Sequence, residues 1–339
     1  MSTPHPAWAD AVDAALTEFG LLERRRNAEL VSLSENATWL VHLEGEEKAV
    51  LRLHRPGYRS LGEIRSELTW IDALHESAVV HTAPVRRTTR GEPIAVFENT
   101  DGQVQYAVLF GFVSGLNPDP SDPDAMRRTF RELGSLTARL HDHARHWMLP
   151  TGFERMVWGI DNTIGPESAW DPWRANPEID DDTSAVLAAV EQRIMECIAG
   201  YEARGREPIL VHGDLRTTNL LIENDRTVII DFDDAGFAWP LWDLACALSF
   251  IESDPSVPVL AQAWVDGYTR HDVLDSHDLD VLPALVMLRR LLLVGWMVSR
   301  TQTDEYRRMV GVYVPESVRI GRDFLNGAFL TDLRLPTHD

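Results

Sequence analysis

The run His212-Gly213-Asp214-Leu215-Arg216-Thr217-Thr218-Asn219, followed by Asp231-Phe232-Asp233-Asp234, sets Asp214, Asn219 and Asp231 among β-forming apolar residues. An amide oxygen and a carboxylate are hard ligands suited to Mg2+, which also takes phosphate oxygens. Asn219 and Asp231 are therefore candidate metal ligands, and the third group, Asp214, is left to orient and deprotonate a hydroxyl. Spaced as Asp-x-x-x-x-Asn with a further Asp after a short hairpin, the set has the layout of phosphoryl-transfer chemistry.

For these groups to meet, the chain must leave a strand at Val211, pass through a loop and return by a hairpin. Residues 220–222 and 227–230 read as that hairpin, turning at Asn224-Asp225, and the apolar run Val228-Ile229-Ile230 sets Asp231 on a rigid element. Upstream, residues 38–43 and 49–53 read as strands joined by Glu44-Gly45-Glu46-Glu47. Ala49, Leu51 and Leu53 share one face, Val50 and Arg52 the other. Ser60-Leu61-Gly62-Glu63 is a capping-box pattern, and Ile64, Leu68, Ile71 and Leu74 follow at helical spacing. Residues 93–97 and 105–113 read as two more strands, and Gly115-Leu116-Asn117-Pro118-Asp119-Pro120 breaks regular structure. The expected division is a first lobe over 1–113 and a second over 114–339.

The second lobe reads as mainly helical. One helix runs through Met126, Phe130, Leu133 and Leu140, another through Leu187, Val190, Ile194 and Ile198. A third, around 281–299, contains Arg289-Arg290, which must find solvent or partners. A Trp- and Pro-rich loop spans 150–182, and the acidic runs 178–182 and 271–280 read as solvated loops.

Composition removes several classes. The 339 residues include 32 basic and 53 acidic side chains, a formal charge of −21, which disfavours nucleic-acid binding through basic residues. The longest apolar stretches are interrupted by Asp243 and by Arg289-Arg290, so no membrane span is expected. Residues 1–10 lack a basic start followed by an apolar run, and cytoplasm is the expected compartment. Two cysteines, Cys197 and Cys246, exclude a disulfide framework or a cysteine-based zinc cluster. Of the 32 basic residues only Lys48 is lysine, and it lies outside any Gly-Lys-Ser/Thr run, so there is no Walker A loop. Phosphate must be met by arginine, metal or backbone. His141-Asp142-His143 is no metal site, since i and i+2 on a helix do not face together.

The catalytic segment resembles the aminoglycoside phosphotransferase and choline kinase superfamily, whose loop reads His-Gly-Asp-x-x-x-x-Asn and whose metal motif reads Ile-Asp-Phe/Trp-Asp/Glu. Asp231-Phe232-Asp233-Asp234-Ala235 and Trp242-Asp243-Leu244 look most similar to the branch holding homoserine-kinase-like enzymes, hydroxylysine kinase and a bacterial stress-response protein kinase. Similarity continues through Glu35-Asn36-Ala37-Thr38, Leu51-Arg52-Leu53-His54-Arg55-Pro56, Arg65-Ser66-Glu67-Leu68 and Leu136-Thr137-Ala138-Arg139-Leu140-His141, covering about residues 30–300. The resemblance implies an α+β, protein-kinase-like two-lobed fold. A small N-terminal antiparallel sheet plus one helix would bind nucleotide; a larger, mainly helical C-terminal lobe would carry the catalytic loop and substrate pocket.

Carried over by position, the resemblance makes Asp214 the catalytic base and Asn219 and Asp231 the holders of Mg2+ against the phosphates of ATP. Asp233 either assists the metal or faces substrate. Arg52 stands where the family pairs a strand lysine with a helix Glu, here Glu67, and an arginine fork is not equivalent to an ammonium; Lys48, on the same strand parity, is the alternative contact. The turn Ser32-Leu33-Ser34-Glu35-Asn36-Ala37-Thr38 has no G-x-G-x-x-G: either Ser34, Asn36 and Thr38 donate to phosphates or the segment is a plain strand turn. Phe110 and Phe112 complete the nucleotide-binding set. Arg216, two residues after the base, either neutralises charge developing on the γ-phosphoryl group or is a salt-bridged or exposed arginine. His212 fixes the loop through nearby backbone, and Asp243 braces the loop or caps a helix.

Only about ten residues separate Asp231 from the helix start at Leu241-Trp242-Asp243, too few for a peptide platform. A small hydroxylated acceptor is therefore expected, with the 158–173 loop, Asp233, Asp234, Trp239, Arg289, Trp296 and Arg300 as pocket candidates. The carboxylates suit an amine-bearing acceptor: an amino alcohol, hydroxy amino acid or aminocyclitol. A Ser/Thr protein kinase and a catalytically silent nucleotide-binding pseudokinase are the alternatives.

Overall fold

The structure is a computed structural model that describes residues 6–224 and 226–336; Asp225, at the expected hairpin turn, lies outside the described residues. Helix α1 (Pro6–Glu18) is followed by strands β1 (Arg25–Leu33), β2 (Asn36–Leu43) and β3 (Lys48–His54), then helix α2 (Leu61–Ser77). Strands β4 (His81–Thr82), β5 (Val85–Arg86), β6 (Ala95–Glu98) and β7 (Val104–Gly111) come next. Helices α3 (Pro123–His146), α4 (Ile160–Thr163) and α5 (Asp181–Glu202) lead to β8 (Ile209–Val211), β9 (Leu220–Glu223), β10 (Arg226–Ile229) and β11 (Gly236–Ala238). The chain ends with α6 (Trp242–Ala247), α7 (Val257–Tyr268), α8 (Ser276–Ser299), α9 (Asp304–Met309) and α10 (Tyr313–Leu325).

Two units emerge. The first joins residues 1–115 to 149–155 and 223–233; the second holds 116–148, 156–222 and 234–339. The sequence boundary at 113 ran uninterrupted, whereas two later segments return to the first unit. Local pairing explains the return: β10 runs parallel to β4, with Val228 opposite His81 and Ile229 opposite Thr82.

In the first unit an antiparallel sheet has the order β1-β2-β3-β7-β5, with β6 also on β7. One face packs on α1 through Ala11, Val12, Leu16 and Phe19 against Ala37, Trp39, Leu51 and Leu53. Helix α2 begins at the expected capping box, where Ser60 and Glu63 each accept the other's backbone N–H. Its buried face carries Ile64, Glu67, Leu68, Ile71 and Leu74. Sequence periodicity assigned no element to α1 or β1. The stripe of α1 is largely alanine, and β1 is an edge strand exposed along most of its length, so neither shows strong alternation of apolar residues.

The second unit is built on helices. Helices α3 and α7 approach closely at reciprocal glycines: a Cβ on Gly134 would fall 2.0 Å from the Trp264 carbonyl oxygen, and one on Gly267 would fall 1.9 Å from that of Arg131. Helix α8 is long and apolar enough by length and composition to cross a membrane, but 89% of its most apolar window is buried among other elements, which is how a core helix looks. The acidic runs are not simply solvated loops. Asp180 caps α5, and Asp275 with Asp278 forms a capping box on α8, so carboxylates gather where orphan N–H groups and the helix dipole favour them.

Candidate active site

In the second unit the loop after β8 is held from below. Gly213 has φ +80° and an added Cβ would lie 2.1 Å from the Asp234 carbonyl oxygen, so the position requires glycine. The buried Asp243 at the start of α6 accepts from the backbone N–H of Gly213 at 2.8 Å and of His212 at 3.2 Å. His141 of α3 bridges Asp243 and the Tyr268 hydroxyl, each at 3.0 Å. Burial pushes the Asp243 carboxyl up, but the hydrogen bond and charge of His141 and the loop N–H groups outweigh it and hold the pKa below the ordinary value. The His212 ring accepts from the Asp214 N–H at 3.3 Å, and the Cys246 thiol donates to the Gly213 carbonyl at 2.9 Å.

This support presents Asp214. Its Oδ1 accepts from Arg289 Nη2 at 2.8 Å and lies 3.1 Å from Arg216 Nε; its Oδ2 accepts from Asn219 Nδ2 at 3.0 Å. Asn219 Nδ2 also donates to the Asp214 backbone carbonyl at 2.8 Å, so the amide hydrogens face Asp214 and the amide oxygen is turned elsewhere. Arg216 rests over the Phe250 ring at 5.5 Å. The Arg216 guanidinium is ion-paired with Asp214 and 21% exposed.

In the first unit Asp231 follows β10 with φ +64°, an uncommon conformation for a non-glycine residue, and its side chain is 55% exposed. Arg52 of β3 donates to Glu67 at 2.6 Å and lies 3.5 Å from Asp231 Oδ1. Burial opposes the Arg52 charge, but Glu67, Asp233 and Asp231 raise its pKa above the usual arginine value. Asp233, expected at metal or substrate, is instead buried: it accepts from Asn36 at 3.1 Å and lies 4.0 Å from Arg59 Nε. Burial pushes its carboxyl up, but Arg52 and Arg59 bring it to about 2. Arg155 Nη2 donates to the Asp233 backbone carbonyl and Nη1 to that of Glu63 at 3.0 Å, fastening the segment to α2.

The remaining expected residues scatter. Ser34 sits in the β1–β2 turn, its carbonyl accepting from Arg55 at 2.7 Å; Asn36 is engaged by Asp233; Thr38 lies opposite Arg52 in the β2–β3 register. The Phe110 ring lies 5.3 Å from the Arg52 guanidinium carbon, and the Phe112 ring 5.1 Å from Lys48 Nζ. Trp239 is a core side chain rather than a pocket wall, and the Asp234 backbone carbonyl accepts from the Trp158 indole at 2.8 Å. Near the expected 158–173 loop, Ser168, Trp170, Asp171 and Arg300 line an open cavity of ≈480 Å³. Sequence reading missed Arg59 and Arg155, which carry no motif. The partner of Arg289 was also missed, although two adjacent arginines in an apolar helix signal buried pairing.

A family model described as the phosphotransferase enzyme family matches residues 28–278. The solved structure of a microcompartment-associated aminopropanol kinase is similar with a TM-score of 0.85 and 33% identity, over 97% of this chain and 100% of that one. Amicoumacin kinase of Bacillus subtilis (strain 168) is 21% identical over 263 residues, 75% of this chain and 74% of its own length. A solved amicoumacin kinase in complex with AMP-PNP and Ca2+ gives a TM-score of 0.71 at 18% identity, covering 91% of this chain and 90% of that one.

Proposed function

The chain belongs to the phosphotransferase enzyme family, and from that premise we propose that it moves the γ-phosphoryl group of ATP, with Mg2+, to a hydroxyl of a small molecule. The observation that carries the reading is the Asp214 carboxylate, gripped by donors from Asn219, Arg216 and Arg289 on a loop braced by Asp243. A carboxylate so held keeps a fixed direction in which to accept an acceptor hydroxyl. The hydroxyl oxygen attacks the γ-phosphorus, the bond to the bridging oxygen of ADP breaks, and the hydroxyl proton passes to Asp214.

Asn219 and Asp231 would hold the metal. The donor chemistry fits: the Asn219 amide hydrogens are spent on Asp214, leaving its oxygen as a ligand, and Asp231 is an accessible carboxylate. Nucleotide phosphates and water would supply the remaining ligands of an ion held by only two side chains. Mg2+ supplies charge neutralisation at the phosphate oxygens when bound. Arg52, oriented by Glu67, would meet phosphate at the position where the family resemblance leads one to expect a lysine. The AMP-PNP of the amicoumacin kinase structure supports a nucleoside triphosphate donor, ATP in this reading, and the likeness to an aminopropanol kinase supports an amine-bearing alcohol.

The test is phosphate transfer from labelled ATP to 1-amino-2-propanol, hydroxy amino acids and aminoglycosides. Asp214→Asn should lower turnover on the accepted alcohol by about 10²–10⁴-fold, the usual size of a lost general-base contribution. Equal, negligible turnover in both proteins would favour a silent nucleotide-binding module, and transfer only to peptides a Ser/Thr protein kinase.

A further inference from the structure

Helix α8 places two arginines side by side in the interior, with Arg289 2% and Arg290 1% exposed. A buried guanidinium is strongly disfavoured unless it is paired. Arg290 is accounted for within the helical packing: it meets Glu252 at 2.7 Å, Ser317 at 2.8 Å and the Tyr313 carbonyl at 3.0 Å. Arg289 is directed elsewhere. Its Nε donates to Ser249 at 3.2 Å, the rings of Trp170 and Trp242 lie 5.5 and 5.9 Å from its guanidinium carbon, and Nη2 ends on Asp214. Burial opposes its charge, but Cys246, Asp214 and Asp234 raise its pKa above the ordinary arginine value.

We propose that Arg289 is the positioning residue that fixes the Asp214 carboxylate for phosphoryl transfer, releasing Arg216 to act on the phosphoryl group. The inference rests on the role given to Asp214 above. Arg289 is buried, flanked by two indoles and tied at Nε, whereas Arg216 lies against one ring and is partly exposed, so Arg216 has the greater room to turn. With Arg289 in place, Asp214 keeps an ion pair and its orientation after Arg216 turns away. Without it, Arg216 is the one remaining arginine on Asp214 among the described residues, and serving the phosphoryl group would leave the carboxylate held by Asn219 alone.

The experiment compares Arg289→Met and Arg289→Lys, each in the wild-type and the Asp214→Asn background, by steady-state transfer from Mg2+-ATP to the accepted alcohol. In the wild-type background Arg289→Met should lower kcat by about 100-fold, the size expected for lost orientation at a reacting group, while the KM for ATP moves less than about 3-fold. Arg289→Lys should recover part of the loss. In the Asp214→Asn background Arg289→Met should cost less than about 2-fold, because residues acting as one unit are non-additive. Equal losses in both backgrounds, or an unchanged kcat with Asp214 intact, would overturn the proposal. If Arg289→Met fails to fold, Arg289→Lys carries the same comparison. Should Asp214→Asn itself leave turnover unchanged, the functional reading fails; should Asp214→Asn abolish turnover while Arg289→Met does not, only the present inference fails.

Discussion

Arg52 and Arg289 each end on a carboxylate that phosphoryl transfer would use, Asp231 in one unit and Asp214 in the other. The Arg52–Glu67 pair was legible through the family resemblance, which matches Arg52 to a strand lysine and Glu67 to its helix partner, while strand alternation alone set only the face of Arg52. Arg289 and Asp214 are 75 positions apart and belong to no shared motif, so only burial reveals their pairing. A third buried group reports on the interior of the first unit. His54 is buried, neither ring nitrogen has a hydrogen-bond partner among the described residues, and Arg52, Arg59, Arg155 and Asp233 act on it electrostatically. Burial, reinforced by Arg52, pushes its pKa down to about 3 from 6.5. The folded protein therefore declines a proton that the unfolded chain takes up, and stability falls as pH drops from about 6.5 toward 3. Asp233, with its pKa brought to about 2, loses its contribution in the same direction at still lower pH. Replacing His54 with Gln should flatten the decline between pH 6 and 4.5 by about 1.4 kcal/mol per pH unit, the value of one proton. Urea unfolding across that range checks it, and an unchanged slope would show that His54 is protonated in the fold.

Among the elements, those whose pattern is local were the readable ones. The Ser60–Glu63 box starts α2, the β2–β3 hairpin lies where alternation put it, and the stripe Leu187, Val190, Ile194, Ile198 is the buried face of α5. Capping by Asp180 and Asp275 was hidden because charge density alone does not distinguish a solvated run from a helix start. Close helix contact was equally hidden, since a glycine in a helical pattern does not announce its neighbour. Gly267→Ala should cost about 1–3 kcal/mol or more through overpacking against the Arg131 carbonyl, whereas Gly200→Ala, facing open space on α5, should gain about 0.5–1 kcal/mol from helix propensity. Denaturant unfolding of the two variants decides; similar shifts would mean that α3 and α7 are not in backbone contact.

At the scale of the whole chain, the first unit draws its last strand and its carboxylates from sequence far beyond residue 115. A fragment of residues 1–115 lacks β10, the partner of β4, and lacks Asp233, which accepts from the buried Asn36. It should fail to give a cooperative unfolding transition by circular dichroism, and recovery of a native-like transition would show that the later segments are dispensable. The same path of the chain bears on how such proteins diversify. A crossover between two relatives near residue 115 would join one parent's Asn36 to the other's residue at 233. Viable hybrids should therefore be those that exchange 149–155 and 223–233 along with the N-terminal part, and inheritance in this architecture is by interleaved segments rather than by halves.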